Sequence, residues 1–266
     1  MSASAPAPAA PETGAPPVLQ TDALRVQYGN VIAVNDVSLA VHRGTVTGLI
    51  GPNGAGKTTM IDALTGYVRP SHGRVRFEGQ DITGARPHRL ARRGLVRTFQ
   101  SVELFNDLTV EENLLVASEP PNMLSALGQV FLPTRTGAQE AAEWALSVIE
   151  LEAERERFPT ELSHGQRKLV GVGRALARRP SLLLLDEPAA GLDTEETRAL
   201  GERLRTLPDH GVTVLLIDHD MGLVLSVCDR VSVLDFGNLI AEGTAAEVRA
   251  NPAVIEAYLG TERGER

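Results

Sequence analysis

Residues 51–59 read GPNGAGKTT and fit the pattern G-x-x-x-x-G-K-[ST], a glycine-rich loop that binds phosphate. An apolar run, 45–50, precedes this loop, and a segment with helical spacing, 58–66, follows it, which is the context that the pattern requires. Glycines allow consecutive backbone N–H groups to turn toward phosphate oxygens, and the positive end of the helix dipole lies at the same point. The stretch therefore predicts a phosphate site between a buried strand and a helix.

The composition limits what else the chain can be. Its 266 residues suffice for one large domain or two small ones with a sizeable core. The single cysteine, Cys228, excludes a disulfide framework and a multi-cysteine zinc site. The net charge of −8 argues against a nucleic-acid partner. No run of about 18 apolar residues occurs, so the sequence predicts no membrane span.

Arginine supplies nearly all of the 26 basic residues, and the chain contains two lysines, Lys57 and Lys168. Lys57 lies in the glycine-rich loop, where a compact ammonium suits the β- and γ-phosphates better than the broad fork of arginine. The hydroxyl of the next residue, Thr58, is expected to coordinate Mg²⁺. Lys168 has no comparable motif, and we expect it to be a solvated helix residue.

The hydrophobic pattern divides the chain into segments. Residues 1–17 are rich in Ala and Pro and lack the basic and apolar regions of a signal peptide, so they predict a disordered tail. From 18 onward, partial alternation and β-branched residues predict strands at 18–28, 34–41 and 74–78.

Between about 98 and 178 the pattern becomes helical, with 119–134 left unassigned. The predicted helices of this segment are 109–117, 138–151 and 164–178. Continuous apolar runs then predict strands buried on both faces of a parallel sheet: 181–186, 212–217 and 231–235. Predicted helices separate these strands, at 194–206 and 220–227. The pattern as a whole indicates an α/β architecture with a helical insertion.

Two acidic residues, Asp186 and Glu187, end the apolar run 181–186. A carboxylate at the tip of a parallel strand points into the crevice where ligands bind. Asp186 would hold Mg²⁺ through water, and Glu187 would act as general base on the attacking water. The alternative is a surface acidic pair that caps the strand. That alternative weakens when a phosphate loop follows a strand of the same sheet.

Residues 162–167, LSHGQR, resemble the signature motif of ABC-transporter ATPases, usually Leu-Ser-Gly-Gly-Gln. His164 replaces the first glycine, while Ser163 and Gly165 remain. Further motifs of this family follow in the expected order, and the similarity extends over about 18–260. They are the aromatic A-loop residue Tyr28, the Q-loop residue Gln100 in RTFQ, the D-loop ending in Asp193 and the switch residue His219 in LLIDHD.

The resemblance implies a set of site residues. Those that bind nucleotide are Tyr28, Gly51, Asn53, Gly54, Ala55, Gly56, Lys57, Thr58 and Thr59. The catalytic residues are Glu187, His219 and Gln100, and Mg²⁺ is assigned to Thr58, Gln100 and Asp186. The signature residues that contact ATP bound to a second subunit are Ser163, Gly165 and Gln166, with Asp193 in the D-loop. His164 is interpreted as a packing or capping residue.

The resemblance also implies a fold and a mechanism. The fold is a P-loop NTPase (RecA-like) core with an antiparallel β subdomain, an inserted helical subdomain at about 98–178 and a flexible tail at 261–266. Two such subunits would clamp ATP head to tail, so that two helix N-termini face one anion. Hydrolysis would remove the γ-phosphate that bridges the two halves and open the dimer. The cofactors implied are ATP and Mg²⁺.

Four segments are similar to the ATPases of the branched-chain amino-acid importer (LivG-like) family: 80–94, 97–117, 217–221 and 243–260. This similarity implies a second ABC ATPase subunit, two membrane permease subunits and, indirectly, a periplasmic substrate-binding protein, with no nucleic acid. The subunit would be cytoplasmic and peripheral on the inner face of the membrane. Leu104 and Phe105 could receive a helix of the permease or could pack in the core, and the sequence favours neither.

Alternatives within and beyond this family stay open. Relatives serve the uptake of urea, short amides and aromatic acids. A lipopolysaccharide-type exporter ATPase has a similar Q-loop region. A soluble non-transport ABC ATPase is disfavoured, because the chain has one phosphate loop and no heptad stretch.

Overall fold

The computed structural model of the protein describes residues 16–98, 103–118 and 136–262. The strands are β1 Leu19–Tyr28, β2 Val31–Val37, β3 Ala40–Val41, β4 Val46–Ile50, β5 His72–Phe77, β6 Gln80–Asp81, β7 Leu95–Arg97, β8 Leu182–Asp186, β9 Thr213–Ile217, β10 Arg230–Asp235 and β11 Asn238–Gly243. The helices are α1 Lys57–Leu64, α2 Pro87–Arg92, α3 Val110–Ser118, α4 Thr136–Val148, α5 His164–Leu176, α6 Thr194–Thr206, α7 Met221–Val227, α8 Ala245–Ala250 and α9 Pro252–Glu262.

The strands form two sheets. One is antiparallel, in the order β2-β1-β5-β6 with β3 paired to β1. The other has the order β11-β10-β4-β9-β8-β7, and its strands are parallel except for the β10–β11 hairpin. The α/β fold class with an antiparallel β part is confirmed.

The central strands explain the continuous apolar runs of the sequence. Every residue of β4 and β9 is buried, as are the four leucines of β8. Successive side chains of a strand face opposite sides, so Leu183 and Leu185 join one hydrophobic cluster while Leu184 joins the other. Helices therefore cover this sheet on one side, and the antiparallel sheet and α1 cover it on the other.

The strand order brings the predicted site residues to one edge. β4, β9 and β8 are neighbours and run parallel, so their carboxyl ends lie side by side. The glycine-rich loop follows β4, Asp186 ends β8, and Asp218 follows β9. A crevice at the carboxyl ends of parallel strands is where ligands bind in such sheets.

Three observations bear on the predicted segments. The single predicted strand 34–41 is two strands, because the backbone N–H of Leu39 bonds to the hydroxyl of Thr21 at 2.8 Å and interrupts the ladder. Helices α3, α4 and α5 lie within 98–178. Residues 119–134, which the sequence left unassigned, lie outside the described residues.

Within the ranges that the structure describes, no helix is both long and apolar enough to cross a membrane.

Candidate nucleotide-binding site

The glycine-rich loop turns tightly between β4 and α1. Gly51 has a φ of +152°, and a Cβ there would lie 2.1 Å from the carbonyl oxygen of Leu234. Gly56 has a φ of +99°, and a Cβ there would lie 2.3 Å from the carbonyl oxygen of Ala33. Because backbone from β10 and from β2 approaches so closely, both positions require glycine.

The remaining loop residues divide between solvent and interior. Asn53, Gly54 and Thr58 are exposed, and Thr59 is half-buried. Ala55 is buried, and its N–H donates to the carbonyl of Pro52 at 3.1 Å. The first residues of α1 therefore present a hydroxyl and backbone N–H groups at the loop surface, as phosphate binding requires.

The ammonium of Lys57 is held inside the loop. The residue is buried, and its Nζ donates to the carbonyl oxygens of Gly51 at 2.7 Å and Pro52 at 2.9 Å. Burial lowers the pKa of Lys57, while the negative charges of Glu187 and Asp186 act to raise it. The predicted lysine and the two predicted carboxylates thus share one electrostatic environment.

Asp186 is bound by a residue that the sequence analysis did not assign to the site. Arg97, at the end of β7, donates from Nη2 to Asp186 Oδ2 at 2.7 Å and from Nη1 to Asp62 Oδ1 at 2.6 Å. The Arg97 side chain is 9% exposed. Its guanidinium therefore links the end of β8 to α1, the helix that begins at the glycine-rich loop.

Glu187 and His219 lie together beside a buried carboxylate. His219 Nδ1 is 3.6 Å from Glu187 Oε2 and 3.5 Å from Asp218 Oδ1. Asp218 is fully buried and accepts hydrogen bonds from the N–H groups of Ala189 at 3.2 Å and Asp220 at 3.0 Å. Glu187 has a φ of +46°, a strained conformation for a non-glycine residue of the kind found at functional sites.

Tyr28 lies at the turn of the β1–β2 hairpin, where it pairs with Val31. The residue is 51% exposed, so a face of its ring is available to a ligand. The same hairpin contains Ala33, whose carbonyl approaches Gly56. The structure thus brings Tyr28 to the loop side of the antiparallel sheet. Gln100, the predicted Q-loop residue, lies outside the described residues.

The signature residues form the start of α5. Ser163 is the N-cap, since its hydroxyl accepts from the N–H of Gln166 at 3.2 Å and the Gln166 side chain accepts from the N–H of Ser163 at 3.0 Å. The N–H of Gly165 donates to Glu196 Oε1 at 2.8 Å. Asp193 caps α6 through the N–H of Glu196 at 2.9 Å. The start of α5 therefore packs against the first turn of α6, the helix that directly follows the D-loop.

His164 and Lys168 both lie on α5. His164 Nε2 would lie 3.4 Å from a Cβ placed on Gly191, which puts the imidazole against the D-loop. The expectation that Lys168 is solvated is wrong, because the residue is 7% exposed. Burial lowers its pKa, and the charges of Asp218 and Glu187 act to raise it.

A cleft of about 770 Å³ opens between the parallel sheet and the helical segment. Leu104 and Phe105 both line this cleft. Leu104 packs against the core, whereas Phe105 is 43% exposed and lies under the guanidinium of Arg174, 4.9 Å from the ring centre. The sequence left core packing and a permease-facing surface open for both residues. Leu104 packs against the core, whereas the ring of Phe105 is exposed.

A glycine-rich loop between a buried strand and a helix, with acidic residues at the ends of adjacent parallel strands, defines the class of P-loop nucleotide-binding proteins. Residues 34–190 match the family described as "ABC transporter", and residues 238–263 match "Branched-chain amino acid ATP-binding cassette transporter". The chain belongs to the ATP-binding cassette family of ABC transporters.

Two curated relatives and one solved structure are similar over nearly the whole chain. The branched-chain amino acid transport ATP-binding protein BraF of Pseudomonas aeruginosa is 43% identical over 252 residues, which is 92% of this chain and 98% of that protein. The protein LivG of Escherichia coli is 40% identical over 251 residues, with the same coverage. A crystal structure of an ABC-transporter cassette in its ADP conformation has a TM-score of 0.80 and 36% identity, and covers 91% of this chain and 98% of that one.

Proposed function

We propose that the chain is the ATP-binding and ATP-hydrolysing subunit of an ABC importer for branched-chain amino acids. The observation that carries the ATPase is the meeting of Lys57, Asp186 and Glu187 at one edge of the parallel sheet. A cation at a phosphate loop and two carboxylates at the end of another strand of the same sheet are the groups that phosphoryl transfer to water uses. ATP hydrolysis is typical of the family.

ATP binding follows from the loop. The Lys57 ammonium would exchange the carbonyls of Gly51 and Pro52 for the β- and γ-phosphates, which carry full negative charge. Backbone N–H groups from Asn53 to Thr59 and the positive end of α1 would hold the same phosphates. Tyr28 would stack on the adenine, an interaction worth roughly 1–3 kcal/mol.

Glu187 and His219 would perform the chemistry. Glu187 would orient a water in line with the γ-phosphate and accept its proton, while His219, beside that carboxylate, would contact the γ-phosphate. The Thr58 hydroxyl and the Asp186 carboxylate are hard oxygen donors of the type that Mg²⁺ takes, so they, together with Gln100, would hold the ion. Bound Mg²⁺ would neutralise charge on the phosphate oxygens.

A second ATPase subunit would complete the site. Ser163 and Gly165 begin α5, and the N-terminus of that helix would meet ATP held by the loop of the partner, with Gln166 and Asp193 at the same interface. The resemblance favours a different ATPase as the partner over a second copy. Residues 18–260 would form the cassette, and about 98–178 its helical subdomain.

Two membrane permease subunits would anchor the assembly on the cytoplasmic face of the membrane. The exposed ring of Phe105 and the apolar wall of the cleft, including Val116 and Ala175, suit a permease helix. A periplasmic substrate-binding protein would deliver cargo to those permeases without contacting this chain.

The cargo proposal is supported by the match at 238–263 and by the names of the two relatives. Its test is uptake into proteoliposomes that contain the two permeases, the second ATPase and this chain, with the binding protein outside and ATP inside. We expect ATP-dependent accumulation of radiolabelled leucine, isoleucine or valine, and none with Lys57→Ala. Accumulation of urea, an amide or an aromatic acid in place of these would overturn the cargo assignment and leave the ATPase intact.

A further inference from the structure

The two lysines of the chain have a common environment. Lys57 is buried in the glycine-rich loop, and Lys168 is buried on α5, at 8% and 7% exposure. The other 24 basic residues, 26 less these two, are arginines. Both lysines lie where the charges of the acidic edge act on them, and Glu187 acts on each. A chain that uses arginine elsewhere thus has a compact ammonium at two buried positions, and the charge of Glu187 acts to raise the pKa of both.

Lys168 reaches this edge from the helical segment. It lies one turn after the signature residues that begin α5, and it shares a helix face with Val172 and Ala175. All three residues line the cleft, and so does Pro188, the residue after Glu187. Lys168 therefore lies in the same cleft as the segment that follows β8.

The acidic edge needs cations from several elements. Asp218 is fully buried, and burying a carboxylate without compensating charge is costly. Two backbone N–H groups bond to it, and His219 Nδ1 lies 3.5 Å away. Lys57 comes from α1 and Arg97 from β7, where Arg97 is engaged with Asp186 and Asp62. From α5, Lys168 lies buried where the charges of Asp218 and, less strongly, Glu187 act to raise its pKa against the effect of burial.

Because His219 lies between Asp218 and Glu187, the position of Asp218 affects both groups assigned to hydrolysis. A cation fixed on α5 acts on Asp218 and on Glu187 at once. Any shift of α5 against the parallel sheet would therefore change the electric field at the Glu187 carboxylate. The signature end of α5 is the part of the helix that would meet ATP on the second subunit.

We propose that Lys168 is a positioning residue for ATP hydrolysis, which holds the Asp218, His219 and Glu187 group in its reactive arrangement and couples it to the signature helix. The inference rests on the proposed ATPase function. It assigns Lys168 no contact with nucleotide, so its loss should affect turnover and spare nucleotide binding.

The test compares Lys168→Met, which removes the charge and keeps most of the stem, with Lys168→Arg, which restores the charge. Both are assayed in the complete complex with permeases and second ATPase, for kcat, for KM and for equilibrium binding of ATP. We expect Lys168→Met to lower kcat by about tenfold to a hundredfold with KM and ATP affinity within about twofold of wild type. Lys168→Arg should recover part of kcat, because it restores the charge but not the compact ammonium. Arg249→Met, which removes an exposed cation from α8, should leave all three values unchanged.

Three results would overturn the inference. The first is a wild-type kcat in Lys168→Met. The second is a loss of ATP affinity in Lys168→Met as large as its loss of kcat, and the third is no recovery of kcat in Lys168→Arg. If Lys168→Met does not fold, Lys168→Gln undergoes the same comparison with Lys168→Arg. If the wild-type complex does not hydrolyse ATP, the proposed function fails and this inference fails with it. If Glu187→Gln hydrolyses ATP at the wild-type rate, Glu187 is not the base, and this inference fails while the ATPase function stands. If Lys168→Met hydrolyses ATP at the wild-type rate while Glu187→Gln is inactive, the role of Lys168 is rejected and the ATPase function stands.

Discussion

Replacing Arg97 by Met should destabilise the protein by about 3 kcal/mol. The side chain is 9% exposed, and it donates to Asp186, 13% exposed, and to Asp62, 28% exposed. Removing one partner of a buried ion pair typically costs about 3–5 kcal/mol, because the remaining charge stays buried without compensation. Asp62 is partly exposed, so we place the expected loss of stability at the lower end of this range. For a chain of this size the loss corresponds to a fall in melting temperature of about 6–12 °C.

The assay is differential scanning calorimetry of the nucleotide-free protein in EDTA, so that no bound ligand shifts the transition. Arg198→Met is the matched control, since Arg198 also bridges two carboxylates, Glu195 and Glu202, but on an exposed helix surface. The control should melt at the wild-type temperature, because exposed ion pairs contribute little. A fall for Arg97→Met no larger than the control's would refute the view that Arg97 fixes the end of β8 to α1.

Three other predictions concern nucleotide binding and the lone thiol. Lys57→Ala should lose ATP binding in a fluorescent-nucleotide titration, and tight binding would refute the loop assignment. Tyr28→Ala should weaken ATP binding by about 1–3 kcal/mol while Tyr28→Phe keeps it, and an equal loss in both variants would exclude stacking. Burial raises the pKa of Cys228, so its thiol should resist maleimide at pH 8 in folded protein and react in urea. Labelling of the folded protein at the unfolded rate would contradict that burial.

The parts of the site that are contiguous in sequence were predictable. The glycine-rich loop carries its own signal, because a strand, the glycines, Lys57 and a helix must follow one another directly. The buried strands β8, β9 and β10 were predicted from continuous apolar runs, since a strand covered on both faces has no polar side. The ends of such strands then located Asp186 and Glu187.

Residues that act across long stretches of sequence were not predictable in this way. Arg97 bonds with residues 35 and 89 positions away, and nothing local marks it except its place in RTFQ. Lys168 follows Gln166 and Arg167, a polar run typical of a solvated helix face, yet tertiary packing buries it. The signal that could have found it is the scarcity of lysine, because the second lysine of an arginine-rich chain lies at a buried position where the charges of Asp218 and Glu187 act on it.

The most direct measurement of the central claim is the nucleotide that remains bound to the assembled complex when Glu187→Gln replaces the wild-type chain. Radiolabelled ATP is added, free nucleotide is removed by rapid gel filtration, and the bound species are separated. We predict that the Glu187→Gln complex retains ATP with its γ-phosphate intact, whereas the wild-type complex retains little and releases ADP and phosphate. Release of ADP by Glu187→Gln at the wild-type rate would contradict the assignment of Glu187 as the base and, with it, the account of the site.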